Sequence, residues 1–205
     1  MRLVVERPVR KGEMLLRQGQ IAPSVSILKT GSAILLRSSD TGGAEHPVAV
    51  LGAGHAIGIT SLLGCAAPVS CRALAAGRVC EVAAADAGQQ GLLDAEFLTV
   101  LAQGSARTNA SLAEWARIAR MRGVGSQLAA ALLQLAQVQR SSLVRLPSQS
   151  ALAALLSTSR ETIARTLRQL TQAQAVVRRD RWHCEIRREK LLPLAASQRG
   201  SGPSP

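Results

Sequence analysis

The chain has 205 residues, which is enough for two small domains that each bury a core of their own. Its 25 Lys and Arg outnumber its 13 Asp and Glu, and the excess lies in one half: residues 1–116 carry a net charge of +1 and residues 117–205 a net charge of +11. Such a concentration of positive charge predicts a polyanionic partner, and because we find neither a signal peptide in residues 1–12 nor a known catalytic signature, we expect a cytoplasmic protein that is not an enzyme.

Short apolar runs separated by glycines fill residues 11–84, and this spacing of turn signals predicts a small all-β roll or barrel. One stretch, 47–71, has no charged residue and is long enough to span a bilayer, but repeated Pro and Gly favour short buried strands and turns. A membrane surface is also disfavoured, because no basic amphipathic helix is present. The predicted strands are 14–16, 25–28, 33–36, 48–51 and 79–82.

After residue 85 the apolar residues recur every three or four positions, which predicts a helix over 94–122. Its apolar stripe has nearly the 3.5-residue period of a helix that pairs with another helix, although Gly104 and Ser105 interrupt it. We therefore predict a dimerisation helix whose interface residues are Phe97, Leu101, Thr108, Leu112, Trp115 and Ala119.

Two glycines, Gly123 and Gly125, predict a hinge after this helix. Ser126 is placed to cap a further helix that ends near residue 139. An effector signal from the roll would act by shifting this hinge.

Residues 148–170 show the pattern of two short amphipathic helices joined by a tight turn, which is the helix-turn-helix DNA-binding motif. Ser148 and Ser159 are placed to cap the two helices, and Ser157 and Thr158 break the run between them. The predicted inward-facing residues are Leu152, Leu155 and Leu156 in the first helix and Ile163, Leu167 and Leu170 in the second.

The outer face of the second helix carries two arginines and a glutamate near its start. An arginine matches O6 and N7 of guanine, and a carboxylate accepts a hydrogen bond from N4 of cytosine. We therefore predict that Arg160, Glu161 and Arg165 contact base edges. The alternative is a solvated helix whose charges simply face water.

Two short strands around a charged turn are predicted over 176–186, where they form a wing beside the helix pair. Phosphate contacts orient a protein on DNA without specifying sequence, and basic or hydroxyl side chains make them. The candidates for such contacts are Ser159, Thr162, Arg168, Arg178, Arg179 and Arg181.

The order of these parts resembles the Crp/Fnr family of bacterial transcription regulators over about residues 8–195. The turns of that family's roll are matched at 11–13, 51–54, 61–64 and Gly58, and residues 159–165 are similar to the recognition helix of the catabolite activator protein branch. The resemblance implies an α+β fold with a cyclic-nucleotide-binding-like β-roll over 1–93, a dimerisation helix over 94–122 and a winged helix-turn-helix over 123–196. Residues 197–205 are expected to form a disordered tail.

The same resemblance implies a homodimer on a palindromic operator with TGTGA-like half-sites, and RNA polymerase as a further partner. Ala164 stands where the Fnr-type helix has a serine, which disfavours the TTGAT half-site. Ser157 stands where a glycine is common in the turn, so we expect a non-glycine residue at positive φ.

The sensor half departs from the family pattern. Members that bind cyclic nucleotides hold the phosphate with a glutamate and an arginine at the positions of Ile59 and Val69, and they place polar residues near Leu112 and Ala113. A buried phosphate needs a cationic or N–H partner. We therefore expect an effector other than cyclic AMP, and an apolar small ligand, haem and no ligand at all remain alternatives.

Four cysteines occur without a Cys-x-x-Cys pair, and the first is Cys65, so an iron–sulfur cluster of the family's type is not expected. Cys71 and Cys80 lie on successive predicted strands, where a hairpin would place them opposite each other as a reversible redox pair. The alternative is that both are small buried hydrophobes. The three histidines form no spaced cluster, so we predict no metal site.

The favoured hypothesis is a sequence-specific regulator that binds double-stranded DNA and responds to an unidentified small molecule. The alternative is a ligand- or redox-sensing regulatory subunit that acts by protein–protein contact through its winged helix. Salt dependence separates them, because DNA binding weakens by orders of magnitude between low and moderate salt.

Overall fold

The computed structural model describes residues 4–39, 43–89 and 95–196, with residues 87–89 described by their backbone alone. Within it the chain forms two compact units, residues 1–113 and residues 114–205. The predicted tail, 197–205, and the predicted first residue of the dimerisation helix, Asp94, lie outside the described residues.

Short strands build the first unit and pair in two antiparallel sheets. They are β1 (Val5–Val9), β2 (Met14–Leu16), β3 (Ser24–Thr30), β4 (Ala33–Arg37), β5 (His46–Leu51), β6 (Ala56–Ile57), β7 (Ser70–Ala73) and β8 (Gly77–Ala83). The strand order is β1-β8-β3-β6 in one sheet and β2-β7-β4-β5 in the other. Val25, Leu28, Val50, Leu51 and Val79 are almost completely buried and belong to the core of this unit.

The predicted β-roll is confirmed, and the five predicted runs correspond to β2, β3, β4, β5 and β8. The uncharged stretch 47–71 folds into β5, β6, a 3-10 helix (Ile59–Leu63) and the start of β7, as its glycines and prolines indicated. Among the described helices, none combines the length and the apolar character that a bilayer crossing requires.

The predicted opposition of Cys71 and Cys80 is wrong. Cys71 lies on β7, which pairs with β2 and β4, whereas Cys80 lies on β8, which pairs with β1 and β3. The chain between them crosses from one sheet to the other instead of forming a hairpin. All four thiols are free, and complete burial raises the pKa of Cys71 to about 12, so this thiol stays protonated.

Two helices follow the roll, α1 (Ala84–Gln89) and the long α2 (Ala95–Ala119). One face of α2 packs on the roll through small and hydroxyl side chains. A Cβ atom at Gly104 would lie 2.9 Å from Cβ of Ala56, and Oγ1 of Thr108 donates to the carbonyl of Ala56 at 3.1 Å. One turn further on, Oγ of Ser111 donates to the carbonyl of Val50 at 3.0 Å.

This packing divides the predicted dimer stripe between two faces of α2. Leu101, 5% exposed, and Thr108 face the roll of their own chain, and Trp115 is fully buried. Leu112 and Ala119 are half-exposed and belong to a different stripe. That second stripe has heptad spacing and consists mostly of small, exposed or half-exposed residues: Leu98, Ala102, Ser105, Asn109, Leu112, Ala116 and Ala119.

The second unit contains α3 (Val124–Gln139), β9 (Leu143–Arg145), α4 (Gln149–Leu155), α5 (Arg160–Gln172), β10 (Val176–Arg178), β11 (His183–Ile186) and α6 (Arg188–Ala196). Its three strands form a sheet in the order β10-β11-β9. Leu128, Leu132 and Leu135 of α3 are completely buried in the core of this unit.

The helix boundaries near residue 120 differ from the prediction. α2 ends at Ala119 instead of residue 122, and α3 begins at Val124, so Gly125 and Ser126 lie inside its first turn. Gly123 precedes the helix with φ 81°, a conformation that favours glycine, and no side chain caps this end. The predicted cap at Ser126 is therefore wrong, and Gly123 rather than Gly125 marks the turn.

No separate helix is predicted after the wing, and α6 is found there with Pro193 inside it. The helix packs against α3 with Leu191 completely buried. It also touches the end of α5, since Nζ of Lys190 donates to the carbonyl of Ala173 at 3.3 Å.

Candidate nucleic-acid interface

The helix-turn-helix begins with α4, whose capping side chain is the predicted one. Oγ of Ser148 accepts a hydrogen bond from the backbone N–H of Ala151 at 3.1 Å. After α4 the chain turns at Ser157, which adopts φ +50°. The expected positive φ at this non-glycine position is therefore confirmed.

The second helix of the motif, α5, begins with its own capping serine. Oγ of Ser159 accepts from the backbone N–H of Thr162 at 3.1 Å, so the predicted cap is confirmed. The inward face of α5 is buried, and its outer face presents charged side chains. The buried residues include Ile163, Leu167 and Leu170, and the exposed ones are Arg160, Glu161, Arg165 and Arg168.

Glu161 is held in its ionised form by the start of this helix. The pKa of its carboxyl is lowered because its own backbone N–H and the hydroxyl of Ser159 donate hydrogen bonds to it. A deprotonated carboxylate only accepts hydrogen bonds. The N-terminal turn of α5 thus presents an acceptor, Glu161, between two cationic donors, Arg160 and Arg165.

A groove of about 600 Å³ lies between α5 and the strands β10 and β11. Arg160 and Arg168 line it from the helix, and Arg178 and Arg181 line it from the wing. Among the described residues its lining contains no carboxylate. Residues 146–150, which carry no charged side chain, line a further side of the groove. The groove is therefore wide and cationic enough to hold an anionic strand beside α5.

The three arginines of the wing differ in their surroundings. Arg178 and Arg181 line the groove, whereas Arg179 forms an ion pair with Glu185, with its Nε 3.0 Å from Oε2. Successive residues of an extended chain point to opposite faces, which places the side chain of Arg179 away from that of Arg178. Arg179 does not line the groove, and its charge is partly neutralised by Glu185. The phosphate contacts of the three arginines stay predictions.

The two predicted hydroxyl contacts lie at the start of α5 and already take part in hydrogen bonds. Oγ of Ser159 caps the helix and also lies 3.0 Å from Oγ1 of Thr162. Thr162 is half-buried. Their role toward phosphate stays a prediction.

In the roll, the turn after β6 is held by a glycine and by hydroxyl groups and carries no charged side chain. Gly58 adopts φ 79°, and Oγ of Ser61 donates to the carbonyl of Gly58 at 2.6 Å. The hydroxyl oxygen of Ser70 accepts from the backbone N–H of Gln18 at 3.0 Å. No Lys or Arg occurs between residues 58 and 71. In the described part of the chain, no three His, Cys, Asp or Glu side chains are grouped so as to hold a metal ion.

Comparisons with known proteins agree with this architecture. A family model of the cyclic nucleotide-binding domain matches residues 6–90, and a model of the Crp-like helix-turn-helix domain matches residues 126–193. No curated protein matches the sequence significantly.

Solved structures with the same fold are numerous. FixK2 from Bradyrhizobium japonicum superposes with a TM-score of 0.76 at 19% identity, over 93% of this chain and 96% of that chain. A CRP-family transcriptional regulator from Thermus thermophilus gives 0.74 at 17% identity, over 93% and 96%. The c-di-GMP responsive global regulator CLP from Xanthomonas campestris gives 0.67 at 18% identity, over 90% and 95%.

One class of transcription regulators joins a cyclic-nucleotide-binding-like β-roll to a winged helix-turn-helix, and this chain has both domains in that order. With both family models matched in this order on one chain, the protein belongs to the Crp/Fnr family.

Proposed function

We propose that this chain is a homodimeric, sequence-specific regulator that contacts the base edges of a palindromic operator with Arg160, Glu161 and Arg165. Its further partners are RNA polymerase and a small molecule other than cyclic AMP. The single observation that carries the proposal is the exposure of these three side chains on the outer face of α5, beside a groove lined by four arginines.

The chemistry of the three residues supports base-specific contacts. The two guanidinium groups suit guanine, and the ionised Glu161 suits the amino group of cytosine. A TGTGA-like half-site, with its guanines and the cytosines paired to them, fits this set. The flanking phosphates are contacted by the arginines that line the groove, Arg168, Arg178 and Arg181.

The exposed stripe of α2 supports dimerisation, because an identical helix from a second copy of the chain would cover it. Small residues such as Ala102, Asn109 and Ala116 recur there at heptad spacing, which suits the close approach of an identical helix about a two-fold axis. Two recognition helices related by that axis would enter successive major grooves roughly 34 Å apart.

The composition of the turn after β6 supports independence from cyclic AMP. Ile59 and Val69 replace the charged residues that hold a phosphate, and the hydroxyl of Ser61 donates to the backbone. A phosphate there would lose hydration without gaining a cationic partner from within residues 58–71. Titration calorimetry with cyclic AMP and cyclic GMP should show no binding, and a micromolar affinity for either would contradict this part of the proposal.

The DNA-binding part is tested by selecting duplexes from a random pool and measuring affinities of two variants. Arg165→Ala should relax discrimination at one base pair by about 1–3 kcal/mol, whereas the matched control Arg168→Ala should weaken selected and scrambled duplexes alike. No enrichment from the pool, or binding that does not weaken with salt, would contradict the proposal and favour a protein partner.

The dimer is tested by sedimentation of two single-charge variants. Ala102→Glu places a charge on the exposed stripe of α2 and should yield monomers. Gln103→Glu places the same charge one residue away and should leave the dimer intact.

A further inference from the structure

The wing turn contains an acidic residue at a position where negative charge opposes DNA binding. Asp180 lies between Arg179 and Arg181 in sequence, and both arginine side chains are exposed. The negative charge of Asp180 would repel DNA phosphates, so an acidic residue is not expected on a surface that binds DNA. The hydrogen bonds that Asp180 makes within the turn explain why an acidic residue stands there.

The carboxylate of Asp180 organises the turn between β10 and β11. Oδ1 accepts hydrogen bonds from the backbone N–H groups of Trp182 and His183, at 2.6 and 2.7 Å. Oδ2 lies 2.8 Å from Nδ1 of His183. An aspartate that accepts from the backbone two residues on forms an Asx turn, which holds the chain without help from a glycine.

The organised turn presents two arginines to the groove. The guanidinium of Arg181 lies 4.9 Å from the centre of the Trp182 ring, a cation–π contact. Nη2 of Arg178 donates to the carbonyl of Arg181 at 3.5 Å. On the other side of the turn Arg179 is held by Glu185, so that the strands are joined across the hairpin.

We propose that Asp180 and Trp182 are positioning residues that hold Arg178 and Arg181 in the groove, so that the wing meets the phosphate backbone in its bound shape. This inference rests on the proposed DNA-binding function. Ordering long side chains on association lowers affinity, and holding them beforehand removes that cost. A carboxylate that repels DNA directly thus strengthens binding through the arginines beside it.

The test measures operator affinity of the full chain by fluorescence anisotropy at several salt concentrations. Asp180→Ala should weaken binding by about fivefold or more, as expected when two side chains must be ordered on binding. Asp180→Asn should retain most of the affinity, because its amide oxygen still accepts from the two backbone N–H groups. The matched control Glu189→Ala removes an equal charge from exposed α6 and should not weaken binding.

Three further readouts separate positioning from loss of folded protein. In Asp180→Ala the salt slope should fall by about one for each phosphate that the wing arginines no longer neutralise. Amide hydrogen exchange of Trp182 and His183 should accelerate while exchange in α3 is unchanged. Trp182→Phe should keep more affinity than Trp182→Ala, since a ring remains under Arg181.

Equal or tighter binding by Asp180→Ala, with faster exchange in the turn, would overturn the inference. If the original chain binds DNA and Arg165→Ala relaxes its specificity while Asp180→Ala behaves like Glu189→Ala, the wing inference fails and the proposed function stands. If the original chain binds no duplex, both fail.

Discussion

The close approach of α2 to the roll allows one substitution to have opposite effects at two helical glycines. Gly104 lies inside α2, and a Cβ atom there would lie 2.9 Å from Cβ of Ala56 and 3.1 Å from Cδ1 of Ile27. Gly125 lies in the first turn of α3, and a Cβ atom there would meet nothing within 4 Å. Gly104→Ala and Gly125→Ala therefore form a matched pair.

The expected magnitudes follow from two competing terms. Alanine is favoured over glycine within a helix by about 1 kcal/mol. At Gly104 this gain is opposed by overpacking against a strand, which costs about 1–3 kcal/mol, so we expect a net loss of about 1 kcal/mol in the free energy of unfolding. At Gly125 nothing opposes the gain, and we expect an increase of about 0.4–1 kcal/mol.

Urea unfolding followed by far-UV circular dichroism measures both variants, and tryptophan fluorescence reports on the second unit, which contains Trp115 and Trp182. In an Ala56→Gly background the loss caused by Gly104→Ala should shrink, because the nearest obstructing atom is gone. An increase in stability for Gly104→Ala equal to that for Gly125→Ala would refute the packing of α2 described above.

Three other substitutions or titrations test separate features. Ser157→Gly should raise the unfolding temperature, because the residue lies at φ +50° and a left-handed conformation costs a non-glycine residue about 1–2 kcal/mol. Ellman's reagent should modify exposed Cys65 in the native protein and reach Cys71 only after unfolding; rapid modification of Cys71 would contradict its burial. The pKa of Asp180 is lowered from 3.8 to about 2 by hydrogen bonds from Trp182 and His183, so the stability that its carboxylate contributes is present above about pH 4 and lost as pH falls toward 2. NMR titration of the wing amides measures this loss, and it should be absent in Asp180→Asn.

Features specified by neighbouring residues were predictable from the sequence. The caps at Ser148 and Ser159 and the inward face of α5 depend on residues within one or two helical turns, and all are where the pattern placed them. The positive φ of Ser157 followed from the glycine that is common at this turn in the family, since the turn geometry is kept when the residue changes.

Features that depend on distant partners were not predictable. A strand-forming run around Cys71 does not say which strand lies beside it, and the chain changes sheets before Cys80. The apolar period of α2 indicates that a face is buried but does not distinguish the roll from a second helix, which is why Leu101 and Leu112 were assigned together. Arg178 and Arg179 are equivalent in sequence, and the pairing with Glu185 separates them.

The position of α6 has a practical consequence for shortening the protein. Leu191 is completely buried against α3, and the backbone N–H of Arg187 donates to the carbonyl of Ala175 at 3.0 Å just beyond the recognition helix. A fragment trimmed at the end of the wing would expose apolar surface on α3 and release the end of α5. Fragments prepared for co-crystallisation with a duplex, and fusions joined at this end, should therefore retain the chain through residue 196.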